Sequence, residues 1–239
     1  MERQDEIQSL MNAHTRRLQK LKEKNAAFGL GTPVEVLTEI EDIEAILEKL
    51  NADLDETKKL SKSLATMSKI SNSQSAFKVR VWTEAGAERS VRDISVIPYG
   101  SAESYQLGDE ITINFSASRD CYLTLINIGT SGKLTVLFPN AFVQENFIRA
   151  NQVYSIPGEE YPFLYKLTGP VGSEKIKAIA TIKPVNLMEK EFTNLDDLIF
   201  YSATGQRAVR DIEIVAKKVN TTPSEAWAED NCMFDVSDK

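Results

Sequence analysis

Two hydrophobic periods divide this chain. Between residues 3 and 28, Ile7, Met11, His14, Leu18, Leu21 and Phe28 recur at steps of three, four and seven, with Arg16, Arg17, Lys20, Lys22 and Lys24 largely around them. That spacing predicts one amphipathic helix. Gly29 can take the left-handed conformation that ends it, and Leu30 is placed to fold over the last turn. Thr32-Pro33-Val34-Glu35 then restarts a helix. Thr32 serves as N-cap, Pro33 occupies the first helical position, and Glu35 reaches back to complete a capping box. In the second helix Val36, Ile40, Ile43, Leu47, Leu50 and Leu54 alternate by four and three, a narrow seam of the coiled-coil kind. Glu39, Glu41, Asp42, Glu44 and Glu48 lie between them, so the second helix is acidic where the first is basic. Apolar burial and charge both favour an antiparallel hairpin over residues 1–60.

Two helices bury little core, and Leu37 and Ile46 fall off the seam. The hairpin is therefore expected to pack against another hairpin, in a second copy or a different protein. The six seam residues Val36, Ile40, Ile43, Leu47, Leu50 and Leu54 are the candidate partner-binding positions. The bland alternative is a hairpin folded back on the rest of its own chain.

From Leu60 the pattern loosens. Leu60, Leu64, Met67 and Ile70 could prolong the helix, but the serines at 61, 63, 68, 71, 73 and 75 weaken it. Residues 61–76 read as a flexible linker. Lys62 and Lys69 are candidate cleavage positions within it for a basic-residue protease.

Beyond the linker the period changes to two. "FKVRVWT" (77–83), "DEITINFSAS" (109–118), "CYLTLINIG" (121–129), "KLTVLFPN" (133–140), "QVYSIPG" (152–158), "YPFLYKLTG" (161–169) and "EKIKAIATIKP" (174–184) read as short strands separated by turn residues. "TSG" before Lys133 marks a hairpin. Residues 194–219 read as one or two helices, and "AEDNCMFDVSD" as a last strand returning to the sheet. The predicted class is α+β: an N-terminal antiparallel helical hairpin, then over residues 77–239 an antiparallel β-sandwich with peripheral helices.

Composition narrows the function classes. The formal net charge of -7 offers no broad basic field for phosphates, which argues against nucleic acid and anionic membranes. The charged start "MERQDEIQSL" and the lack of a run of about 20 apolar residues predict a cytoplasmic protein rather than an exported or membrane-spanning one. Cys121 and Cys232 lie far apart in apparent strands without metal-binding spacing and read as buried reduced thiols.

The residues "LGDEITINFSASRDCYLTLINIGTSGKLTVLFPN" and "IPGEEYPFLYKLTGPVGSEKIKAIAT" resemble a bacterial domain of unknown function often found beside caspase-like peptidase, protein-kinase or other signalling modules. The similarity covers roughly residues 105–182, and its most specific parts are "DCYLTLINI", "LFPN" and "GPVGSEKIKAIAT". Residues 14–50 are similar to a short helical hairpin attached to bacterial conflict and signalling proteins, thought to recruit effectors by like-with-like contacts. Both resemblances imply association rather than chemistry, and neither supplies a catalytic set.

Isolated chemical motifs read as structure. Arg119-Asp120 suggests a turn with a local ion pair, and Pro139-Asn140 a strand end. "GPVGSEK" has two glycines and Lys175 but lacks the phosphate-loop spacing and leads into a strand. Glu159-Glu160 and Asp196-Asp197 are adjacent carboxylates, and neighbours on a strand point to opposite faces. A serine or cysteine nucleophile needs a base, and His14, the only histidine, sits in the helical stripe. The expectation is a non-enzymatic adaptor of a bacterial signalling or defence system, without cofactor or metal. Its partner would be a second copy or a protein carrying a similar hairpin. Two alternatives are a substrate or regulatory subunit cleaved by a partner caspase-like or trypsin-like peptidase, and a ligand-sensing sandwich with its site near Trp82 or Tyr99.

Overall fold

The first apolar run forms α1 (Glu2–Phe28), and after a tight 3-10 turn over Gly29–Gly31 the second forms α2 (Val34–Lys69). The computed structural model describes residues 2–85, 103–158, 161, 163–187 and 200–238. The chain divides into two compact units, Met1–Lys62 and Ser63–Lys239.

In the first unit α1 and α2 make the antiparallel hairpin. Leu21, Ile40 and Ile43 are buried together, with Leu18, Val36 and Leu47 packed against them. Charge follows the same register: Arg17 pairs with Glu39, and Lys22 with Glu44 at 2.6 Å. Such exposed pairs add only tenths of a kcal/mol each and act mainly on register. At the open end Gln4 Nε2 donates to Ser61 Oγ at 3.1 Å.

The turn differs from expectation in two respects. Gly29 has φ +58°, as a helix-ending glycine should. The Thr32 hydroxyl, however, faces the Gly29 carbonyl and Asn25 Oδ1, both at 2.8 Å, and the Thr32 N–H donates to the Gly29 carbonyl at 3.3 Å. Thr32 thus closes the end of α1, and its N–H is not left for Glu35, so the expected capping box does not form. Phe28 is 56% exposed rather than seated in the seam, because it lies at the hairpin tip, as does Val34.

The serine-rich stretch 61–76 is not a free tether. It stays helical through Lys69, and Ser63, Met67 and Ile70, spaced by four and three, are buried. Tertiary burial of that stripe outweighs the weak helix propensity of serine. Past the helix, Asn72 Nδ2 donates to the carbonyls of Ser224 and Trp227, each at 2.6 Å, and Ser75 Oγ to the Phe77 carbonyl at 2.7 Å.

The second unit holds two sheets. The smaller one, in the order β1-β3-β7, comprises β1 (Val79–Ala85), β3 (Ile111–Ala117) and β7 (Tyr154–Ile156). The larger one contains β2 (Glu103–Gln106), β4 (Cys121–Ile128), β5 (Leu134–Phe138), β6 (Phe147–Ile148), β8 (Gly172–Thr181), β9 (Tyr201–Ala203) and β10 (Trp227–Ser237). Its order is β2-β10-β8-β4-β5-β9, with β6 on the start of β4. Val79, Val81, Ile111, Ile113 and Phe115 of the small sheet share one core with Leu123, Leu125, Ile176, Ala178, Ala180 and Phe234 of the large one. This is the alternation of a sandwich face. The carboxylate of Asp230 on β10 accepts the Val81 N–H of β1 at 2.8 Å, a hydrogen bond between the two sheets.

Three elements depart from the sequence reading. β2 pairs with β10 in parallel, Phe234 opposite Glu103, so the sandwich is not wholly antiparallel. Residues 163–169 form no regular strand. They hold to the 108–111 segment through one bridge, Glu110 with Lys166, and through bonds such as Ile111 N–H to the Tyr165 carbonyl at 2.9 Å. The predicted 194–219 helix is α3 (Gly205–Asn220), which buries Ala208, Ile212, Val215, Ala216 and Val219. Residues 201–203 pair with β5 as an edge strand, and 194–199 lie outside the described residues.

β8 lies between β4 and β10, and residues 176–181 are buried on both faces. A strand so placed normally carries apolar residues, yet Lys177 is fully buried. Its Nζ donates to the Ile70 carbonyl at 2.7 Å, to Glu229 Oε2 at 2.9 Å and to Asn231 Oδ1 at 3.2 Å. Three protons meet three acceptors. The Ile70 carbonyl follows the last turn of α2, where carbonyls lack intrahelical partners. Lys175 Nζ adds a bond to Ser68 Oγ at 3.1 Å.

Replacing Lys177 by Met leaves the Glu229 charge without its counter-ion and should destabilise the second unit by about 3 kcal/mol. Urea unfolding of the full chain followed by near-ultraviolet circular dichroism checks this. The additional change Glu229→Leu should recover part of the loss, whereas an unaltered midpoint in the single variant would contradict the assigned role.

Candidate functional site

The seam residues proposed for partner binding divide by burial. Ile40, Ile43 and Leu54 are buried, while Val36, Leu47 and Leu50 are half-buried. α1 supplies much of that cover through Leu18 and Leu21. His14 is half-buried in the matching stripe of α1. The apolar surface left outside is displaced from the seam. Leu37 and Ile46, each 41% exposed, sit about 100° and 80° to either side of it at 3.6 residues per turn. Leu10 of α1 is 51% exposed. A shallow depression of about 430 Å³ on α1 is lined by Leu18, Lys22 and Ala26 among others.

Charge around that apolar surface remains unmatched. Arg16, Lys20 and Lys24 of α1 and Glu35, Glu41, Asp42 and Glu48 of α2 are exposed and make no ion pair among the described residues. Lys62 and Lys69 are exposed as well, but both lie within helical turns of α2.

In the second unit the residues that looked chemical hold the backbone. Asn140 is completely buried; its Nδ2 donates to the Leu137 carbonyl, and its Oδ1 accepts the N–H groups of Phe142 and Val143 at 2.9 and 3.0 Å. It closes the bend after the cis Phe138–Pro139 bond. Asp120 accepts the Ala150 N–H at 2.7 Å, and no ion pair with Arg119 forms. Glu174, from "GPVGSEK", accepts from Asn127 Nδ2 at 3.0 Å and from the Thr130 N–H at 3.2 Å, which ties the β4–β5 turn to β8. Gly172 in the same motif has φ +135°, and a Cβ there would come within 2.4 Å of Thr130 Cγ2. Glycine is required by both conformation and space.

Trp82 lies on β1, half-buried, and its indole N–H donates to Glu84 at 3.0 Å. Tyr99, Glu159-Glu160 and Asp196-Asp197 lie outside the described residues. Neither cysteine is in a disulfide. Cys121 is buried, and burial followed by the charge of Asp120 pushes its thiol up to about 12. Cys232 is only half-buried, against the reading of two buried thiols. No group of three or more His, Cys, Asp or Glu residues suited to a metal ion occurs among the described residues. No described helix is long and apolar enough to cross a membrane.

The main polar centre missed by the sequence reading is Lys177 with Glu229 and Asn231. Its signal was a lysine flanked by "KI" and "AIAT" in a strand that otherwise runs apolar. The second is a cleft of about 640 Å³ in the same unit, between the β4–β5 turn, residues 164–170 and β9. Its walls come from segments distant in sequence.

Residues 104–184 match the family model of a domain of unknown function, DUF4384. That span runs from β2 to just past β8 and contains Asn140, Gly172, Glu174 and Lys177. No curated protein and no solved structure matches the chain.

The thiols provide a direct check. At pH 8 only roughly one Cys121 thiol in ten thousand would be ionised, so a thiol reagent should titrate Cys232 in the native chain and reach Cys121 only after unfolding. Equal reaction of both would contradict the burial of Cys121. Separately, Asn140→Ala should cost about 1–3 kcal/mol in a urea titration by stranding two backbone N–H groups.

Proposed function

We propose that this chain is a non-enzymatic adaptor that associates through its helical hairpin with a second copy or with a protein bearing a similar hairpin. The observation that carries the reading is the exposed pair Leu37 and Ile46, which flank the seam and are bordered by unpaired charge of both signs. A second antiparallel hairpin would set its basic helix against this acidic one and its acidic helix against this basic one. Because Leu37 and Ile46 lie on opposite sides of α2, a hairpin docked on either flank would bury one of them; that burial would drive association, and charge would select the partner. The β unit would then be carried to whatever the hairpin recruits, raising its effective concentration there.

The non-enzymatic part of the reading draws support from the candidate nucleophiles. His14 belongs to the hairpin unit, while Cys121 and Cys232 belong to the other, and the Cys121 thiol is held protonated. A bacterial signalling or defence setting rests on the two resemblances, of the helical segment and of residues 105–182. Cleavage at Lys62 or Lys69 by a partner peptidase would require local unwinding of α2, since proteases take extended backbone.

Association is tested by sedimentation velocity over a range of concentrations. The wild-type chain should self-associate, or bind a partner hairpin, and Leu37→Lys with Ile46→Lys should weaken that about 100-fold while helicity is kept. A wild-type chain that stays monomeric and binds no hairpin partner would overturn the reading. Ile43 is the wrong probe, because it is 5% exposed and reports hairpin packing instead.

A further inference from the structure

The 640 Å³ cleft of the second unit has the size of a small-molecule site. One wall is apolar and partly aromatic: Phe200 is half-buried, its ring centroid lies 5.7 Å from that of Tyr165, and Leu164 is 68% exposed. The lining also carries Lys133, just before β5, and Lys166 on the 164–170 segment. Both lysines are exposed, and neither makes an ion pair among the described residues. The lone carboxylate among the described lining residues, Glu174, is already engaged by Asn127 Nδ2, the Thr130 N–H and the Thr130 hydroxyl. Hydroxyls of Thr135 and Ser202, 3.2 Å apart, add donors on the β5–β9 side.

We infer that this cleft binds a small anion carrying a planar ring, the anionic group held by Lys133 and Lys166 and the ring laid against Phe200, Tyr165 and Leu164. Among the described residues, a cationic ligand would find the one lining carboxylate occupied, while an anion meets two ammonium groups that make no ion pair. The contrast with the rest of the molecule matters, since the chain has a net charge of -7 and long-range field does not create this preference. Burial, and then the nearby charge of Glu174, push the Tyr165 phenol up, so it remains a proton donor at neutral pH. The apolar wall supplies the affinity and the lysines the sign of the charge.

The test is a fluorescence titration of the full chain with anilinonaphthalene sulfonate, a planar aromatic anion, beside the variants Lys133→Glu/Lys166→Glu and Thr168→Trp. Both variants alter exposed rim positions and should fold, which thermal melts confirm. The expected result is saturable binding at one site per chain, weakened about tenfold or more by the charge reversal and blocked by the added indole. Displacement by adenosine monophosphate would assign a phosphate-bearing ligand, and displacement by salicylate a carboxylate-bearing one. Binding equal in all three proteins would overturn the proposal. So would binding lost instead in Leu37→Lys/Ile46→Lys, because that places the dye on the hairpin. Self-association should be untouched by the cleft variants, so this site and the adaptor reading stand or fall separately.

Discussion

A lysine fixed in a strand buried on both faces constrains everything near it. An ammonium ion cannot enter such a place unless every proton has an acceptor. Here the three acceptors come from two parts of the chain: the first carbonyl past α2, and the Glu229 carboxylate and Asn231 side chain of β10. Satisfying Lys177 therefore fixes β10 beside β8 and, within the second unit, the chain at Ile70 just past α2. The same lysine explains why a serine-rich stretch keeps its helix to Lys69. Ser63, Met67 and Ile70 are buried because the carbonyl beyond them is held. Asp230, next to Glu229, extends the set by accepting the Val81 N–H of the facing sheet. Burial raises its pKa, so its ionised form opposes folding, and that opposition grows as pH rises from the ordinary carboxylate range through the raised value.

The two units divide the work. The hairpin is held by a thin seam and exposed ion pairs, and it leaves apolar side chains and unmatched charge outside. The second unit has a large shared core, polar residues at its turns that bond the backbone, and a cleft of ligand size. Within the span that matches the DUF4384 model, Asn140, Gly172 and Glu174 all act on backbone geometry.

The sequence was most legible where one period ran undisturbed. The stripe from Ile7 to Leu21 and the seam from Val36 to Leu54 are helical as read, and the alternations at 111–117 and 121–128 are strands. It was least legible where tertiary contacts override local preference. Thr32 hydrogen bonds backward into α1 because the 3-10 turn brings the Gly29 carbonyl to it, a geometry that spacing alone does not reveal. The parallel β2–β10 pair joins residues 103–106 to residues 234–237, beyond the reach of any local pattern. Of the candidate site, the hairpin's apolar seam and the position of Leu37 and Ile46 off it could be read, but not how far α1 would cover the seam itself. The cleft had no sequence signal, since Lys133, Lys166 and Phe200 meet only through folding.

Amide hydrogen exchange across α2 tests the central claim most directly, because the two ends of this helix are held by different means. If Lys177 fixes the terminal turns, amides of residues 64–70 exchange in the slow class of β4 and β8, by global unfolding of the second unit. Exchange of 64–70 as fast as that of exposed turn residues such as 130–131 would show that the helix end is not held, and the account would fail.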